Sequence, residues 1–135
     1  MKLQKSTRYA LYAAMEMAGA PSGTTLTVSE VAEKYSLPAN ALAKVFQQLV
    51  RSGIAFGTRG AGGGYRLTRT ASEITVLDVM SAFEPPRHKG GCLLEEQSRN
   101  CHLSPMCRLR RLFDEVDNSS RNTLASITLG TLIKR

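Results

Sequence analysis

The chain has 135 residues, of which 42% are hydrophobic and 6% aromatic, with no tryptophan. That length excludes two full domains and leaves one core, built from Leu, Ile, Val, Met and Ala. Eighteen Lys and Arg against 11 Asp and Glu give a net charge of +7, which suits a polyanionic partner, nucleic acid ahead of a membrane surface. No apolar run approaches the roughly 20 residues of a membrane span. The opening Met1-Lys2-Leu3-Gln4-Lys5 has no signal-peptide apolar stretch, so a cytoplasmic protein is expected.

Residues 3 to 19 carry apolar positions at Leu3, Ala10, Leu11, Ala14, Met17 and Ala18, a helical period rich in alanine. Gly19 to Gly23, with Pro21, ends it. A second helix starts at Thr27 or Ser29 and carries Val28, Val31, Ala32 and Tyr35. After the turn Ser36-Leu37-Pro38, a third helix places Leu42, Val45, Phe46, Leu49 and Val50 on one face. It stops at Ser52-Gly53. Two helices joined so closely form a helix-turn-helix.

The period then changes. Ile54 to Arg59 and Tyr65 to Thr68 read as strands around Gly60-Ala61-Gly62-Gly63-Gly64, a hairpin that would be the wing of a winged helix. Ile74 to Phe83 is a short helix ended by Pro85-Pro86. Beyond a polar loop, Ser104 and Pro105 are the expected cap and first residue of a long helix. Its stripe of Leu109, Leu112, Phe113, Val116 and Leu124 would either form a dimer interface or pack on its own domain.

The outer face of the third helix offers Ala39, Asn40, Ala43, Lys44, Gln47 and Gln48. Asn and Gln can bond adenine bidentately, Lys can meet guanine or phosphate, and alanine lets the backbone approach a thymine methyl. A merely solvated polar face is the plainer alternative. Arg59 at the hairpin edge, with Arg66 and Arg69 beyond, suits the negative potential of a narrow minor groove. The glycine run is not a nucleotide loop, because no Lys-Ser or Lys-Thr follows it. The full expected DNA-binding set is Arg8, Tyr9, Ser29, Ala39, Asn40, Lys44, Gln48, Arg59, Gly62, Gly63 and Tyr65.

Three cysteines, Cys92, Cys101 and Cys107, have eight and then five residues between them. An odd count in a reducing compartment argues against a disulfide framework. Thiolates hold iron–sulfur clusters. Cys107 is expected near the third position of the helix begun at Ser104-Pro105, where the dipole and free N–H groups favour an anionic ligand. Arg108, Arg110 and Arg111 add positive charge, and Gly90-Gly91 lets the backbone wrap close to Cys92. Rival readings are free thiols acting as a switch, or zinc with His102 or His88 as fourth ligand; structural zinc usually shows tighter cysteine pairs. No nucleophile–base motif appears, so no enzyme is expected.

Gln4-Lys5-Ser6-Thr7-Arg8-Tyr9-Ala10, Arg59-Gly60-Ala61-Gly62-Gly63-Gly64-Tyr65, the three-cysteine loop and Ile127-Thr128-Leu129-Gly130 together resemble the Rrf2-type bacterial regulators, among them the IscR, NsrR and RirA repressors. The resemblance covers Met1 to about Ile133. It implies a mainly α fold with a small β-hairpin wing, that is, a winged helix-turn-helix with a long C-terminal dimerisation helix. Residues 1-83 would be the DNA-binding domain, 84-104 the cluster-binding loop, and 105-135 the dimerisation helix and C-terminal segment. It also implies a homodimer that binds operator DNA, usually as a repressor, with a [2Fe-2S] or [4Fe-4S] cluster on Cys92, Cys101 and Cys107. Loss, oxidation or nitrosylation of that cluster would change DNA affinity. The segment from Cys101 to Leu109 is most similar to the nitric-oxide-sensing members. Their acidic fourth ligand is matched here by Arg8, and the histidine ligand of the cluster-assembly regulators is matched by Arg110; neither can ligate. His102 and His88 are the candidate replacements.

Overall fold

Small side chains decide how closely the central helices approach. In the computed structural model, which describes residues 3–84 and 107–135, helix α1 (Lys5–Gly19) buries Ala10, Ala13 and Ala14 completely. Its alanine face lies against α3 (Ala39–Arg51), whose Leu42, Val45, Phe46 and Leu49 fill the centre of the core.

Between them, α2 (Val28–Tyr35) begins with a reciprocal cap. Thr27 Oγ1 accepts the Glu30 N–H at 3.2 Å, and the Glu30 carboxylate accepts the Thr27 N–H at 3.1 Å, which satisfies two free helix-end donors. The helix ends at Ser36, held in the left-handed region at φ 53°. Pro38 then stands just before α3 and cannot continue α2. At the far end of α3, Gly53 at φ 78° turns the chain into the hairpin.

Strands β1 (Ala55–Thr58) and β2 (Gly64–Leu67) pair antiparallel, with Ala55 opposite Leu67 and Thr58 opposite Gly64. The other edge of β2 is also paired. Leu26 and Tyr65 exchange both backbone hydrogen bonds, at 2.9 and 2.8 Å. At Gly64 a Cβ would stand 2.7 Å from the Leu26 carbonyl oxygen, so only glycine permits that approach.

A 3-10 turn (Ala71–Glu73) precedes α4 (Val76–Ser81), which is shorter than the expected helix from Ile74 to Phe83 because Thr75 caps it through Asp78. Helix α5 (Arg108–Ser126) is the long helix. Its N-cap is Cys107; Cys107 therefore precedes the first turn and is not its third residue. The expected cap and first residue, Ser104 and Pro105, lie outside the described residues. A last turn, α6 (Leu129–Leu132), was not legible as a helix in the sequence. It inserts Leu129 fully into the core beside Ile74. Its backbone is tied by Leu129 N–H to the Ile74 carbonyl at 2.8 Å, and Val76 N–H reaches Ile127 at 2.8 Å. The mainly helical architecture with one two-stranded wing agrees with the expected fold class.

Candidate nucleic-acid interface

Four exposed side chains share one line along α3: Asn40, Lys44, Gln47 and Arg51. Their spacing of four, three and four residues is that of a single helical face. The opposite face is the core, so the burial of Leu42, Val45, Phe46 and Leu49 is what turns this line outward. Ala39 is exposed beside it, and Ala43 is half-buried.

Gln48, expected among the DNA-binding residues, is turned away from this line. Its amide donates to the Ala82 carbonyl at 3.1 Å and ties α3 to the end of α4. Gln47 holds the exposed position instead. Spacing alone does not separate the two, since 47 and 48 stand three and four residues after Lys44; the place of α4 does.

The hairpin stands beside α3. Arg59 is exposed at its tip, and Gly62 lies in the tight turn at φ 77°. Gly63 has its N–H bonded to the Gly60 carbonyl at 2.8 Å. Thr25 Oγ1 donates to the Gly62 carbonyl at 2.9 Å, a second anchor between the tip and the loop before α2. Tyr65 is half-buried. Its ring packs on Phe46 with centroids 4.7 Å apart, so it fixes the wing to α3. An open groove of about 500 Å³ runs between helix and hairpin, lined by Gln47, Val50 and Arg51 on one side and Gly57, Thr58, Arg59 and Tyr65 on the other.

Two further arginines are less free than the sequence implies. The Arg66 guanidinium lies 4.4 Å from the Phe56 ring centroid, and Arg69 donates to the Glu73 carbonyl at 3.4 Å. Arg8 is exposed on α1, but Tyr9 is only 5% exposed and belongs to the core. The Arg8 guanidinium stands 5.9 Å from the Tyr9 ring centroid. Ser29 is exposed in the first turn of α2, where free backbone N–H groups favour an anion.

The candidate metal ligands divide. Cys107 is half-buried at the start of α5, where among the described residues its own side chain makes no cap hydrogen bond. The positive end of the helix dipole there fits an anionic thiolate-held group. Cys92, Cys101, His88 and His102 lie outside the described residues. Among the described residues no group of three or more metal-ligating side chains comes together, and no helix is long and apolar enough to cross a membrane.

Helix α5 contributes no buried residue to the core. Leu109, Leu112 and Val116 are 57%, 51% and 50% exposed on a stripe spaced by three and four residues. Phe113 and Leu124, expected on the same stripe, are half-buried.

The comparisons with known proteins agree with this architecture. A family model described as Rrf2, iron-dependent transcriptional regulator, matches residues 3–135. BadM of Rhodopseudomonas palustris, assigned to the HTH-type transcriptional regulators, is 34% identical over 134 residues, covering 99% of this chain and 82% of that protein. Among solved structures, a protein of Listeria innocua assigned as a transcriptional regulator has a TM-score of 0.82 at 26% identity, covering 100% of this chain and 88% of that one. CymR, the global cysteine regulator of B. subtilis, has a TM-score of 0.81 at 23% identity, covering 99% and 97%. IscR of T. potens has a TM-score of 0.79 at 22% identity, covering 99% and 87%. The last two share the fold.

Proposed function

Because the chain belongs to the Rrf2 family of transcriptional regulators, which are not enzymes, we propose that it is a cytoplasmic homodimeric repressor whose affinity for operator DNA is set by an iron–sulfur cluster. The observation that carries the DNA half is the exposed line Asn40, Lys44, Gln47 and Arg51 beside a wing that bears Arg59. In this reading α3 enters the major groove, and the hairpin tip of Gly62 and Gly63 enters the adjacent minor groove. Arg8 and Ser29 meet the flanking phosphates.

Cys92, Cys101 and Cys107 would hold a [2Fe-2S] or [4Fe-4S] cluster. When bound, such a cluster supplies iron that nitric oxide, oxygen or iron shortage can attack or remove. The position of Cys107 at the α5 N-terminus, the positive end of the helix dipole, supports an anionic group there, as does the family's description as iron-dependent. The dimer would form along α5, where half-exposed Leu109, Leu112 and Val116 await a partner surface.

The test is anaerobic purification from iron-replete cells, with iron and acid-labile sulfide assayed per chain alongside the visible spectrum. Stoichiometric iron and sulfide with visible absorption are expected. A colourless protein lacking both would overturn the cluster and leave zinc or a thiol switch on the same regulator.

A further inference from the structure

A helix in the major groove and a hairpin tip in the adjacent minor groove are separated on DNA by one sugar–phosphate strand. The protein has a groove in the corresponding place. Its lining residues include two arginines, Arg51 and Arg59, one on each wall, and no acidic residue. Neither guanidinium has an ion-pair partner among the described residues. The hydroxyl side chain of Thr58 and the amide of Gln47 add hydrogen-bonding groups. Gly57 leaves the hairpin wall without a side chain beside Tyr65; a Cβ there would stand 3.1 Å from that ring.

The groove is also rigidly framed. Its two walls are joined by the Phe46–Tyr65 ring contact, and the hairpin is fixed on its outer edge by Leu26 and Thr25. A cleft with an arginine on each wall and no acid is suited to a phosphodiester chain.

We propose that this groove seats one strand of the operator duplex, with Arg51 and Arg59 contacting phosphate oxygens from opposite walls. Arg51 is then a positioning contact that sets the register between α3 and the wing without reading sequence. Gln47, one turn earlier, is left to face the bases. The inference rests on the reading of the chain as a DNA-binding regulator.

The experiment uses the full chain and a duplex selected by the protein from a random pool, compared with a scrambled duplex. Arg51→Ala is expected to weaken binding to both duplexes roughly tenfold and to lower the salt slope by about one. Replacing single phosphates by neutral methylphosphonates should locate one position that weakens the native protein but not Arg51→Ala. Gly57→Ala, which crowds the groove while keeping both charges, should weaken both duplexes with the salt slope retained. Arg51 is exposed, so an unchanged melting temperature shows that its variant is folded. A loss confined to the selected duplex would make Arg51 a base reader and overturn the seat, as would unchanged affinity or the absence of any methylphosphonate position shared with Arg51. If the native protein selects no duplex at all, the regulator reading itself fails, a result distinct from any of these.

Discussion

The Glu84 carboxylate accepts a hydrogen bond of 2.5 Å from the hydroxyl of Thr7, a side chain with no exposed surface. The same oxygen accepts the Gln4 backbone N–H at 2.9 Å. Helix α1 has no acidic residue in its first turn and no cap from its own N-cap side chain. Glu84 supplies both functions from 77 residues further along the chain, placing a negative charge where the helix dipole favours one. It also ties the point where the cysteine-bearing segment begins to the turn that carries Arg8.

Glu84→Ala strands the buried Thr7 hydroxyl and should cost about 1–3 kcal/mol of stability. Thr7→Val removes the hydroxyl instead and leaves Glu84 its Gln4 partner, so its loss should be smaller. Urea unfolding of both variants checks this. An Ala variant as stable as the native chain would show that the contact holds nothing.

Glu16 and Tyr35 predict opposite pH limits. Burial raises the Glu16 carboxyl, but hydrogen bonds from Lys34 at 2.7 Å and Tyr35 at 2.6 Å outweigh it and leave the group below its ordinary value. Its contribution is therefore present above the normal glutamate range and lost as the pH falls through its lowered value. Burial and then Glu16 push the Tyr35 phenol up to about 12 from 10.0. That contribution is complete below pH 10 and lost as the pH rises toward about 12. Ultraviolet titration should show one late tyrosine that Tyr35→Phe removes, and Glu16→Gln should flatten the acid limb of the stability curve.

Gln47 and Gln48 are neighbours with different work. Gln48→Ala breaks the bond to Ala82 and should cost about 1 kcal/mol of stability. Gln47→Ala and Asn40→Ala should leave melting unchanged and relax base preference, whereas Lys44→Ala should weaken every duplex alike. Parallel thermal melts and competition binding separate the cases. Identical behaviour of all four would remove direct readout by α3.

How much of this was legible in the sequence depends on the range of each interaction. The turns of α2, α3 and the wing are local: Thr27 with Glu30, Pro38, Gly53 and the glycine tip each act within a few residues, so their pattern is visible in the chain. That Tyr9 is buried and that Gln48 reaches Ala82 was not legible, because a polar group on a helix does not say which way the core lies and packing against other helices decides it. Glu84 and the α6 turn depend on partners far away in the chain, at Thr7 and Ile74, and no local spacing marks them. Asn40, Lys44 and Gln47 were legible as an outer face of the third helix, but Arg51, one turn further on, was not, because only the hairpin wall beside it marks it out.

The stripe on α5 predicts a dimer that one charge can split. Leu112→Glu and Val116→Glu sit on half-exposed positions of the single chain, so folding should survive. An unpaired charge buried between two copies costs on the order of several kcal/mol. Light scattering should give a monomer mass with helicity retained. Dimers that persist in both variants would move the interface elsewhere.

The central claim is that an iron–sulfur cluster on Cys92, Cys101 and Cys107 sets the affinity for DNA, and one titration tests it directly. Fluorescence anisotropy of the selected duplex is followed under anaerobic conditions while nitric oxide bleaches the visible absorption of the same sample. Affinity is expected to change in step with bleaching, and Cys107→Ala protein, folded but colourless, is expected to have the bleached affinity from the start. Bleaching that runs to completion with the anisotropy unchanged would contradict it.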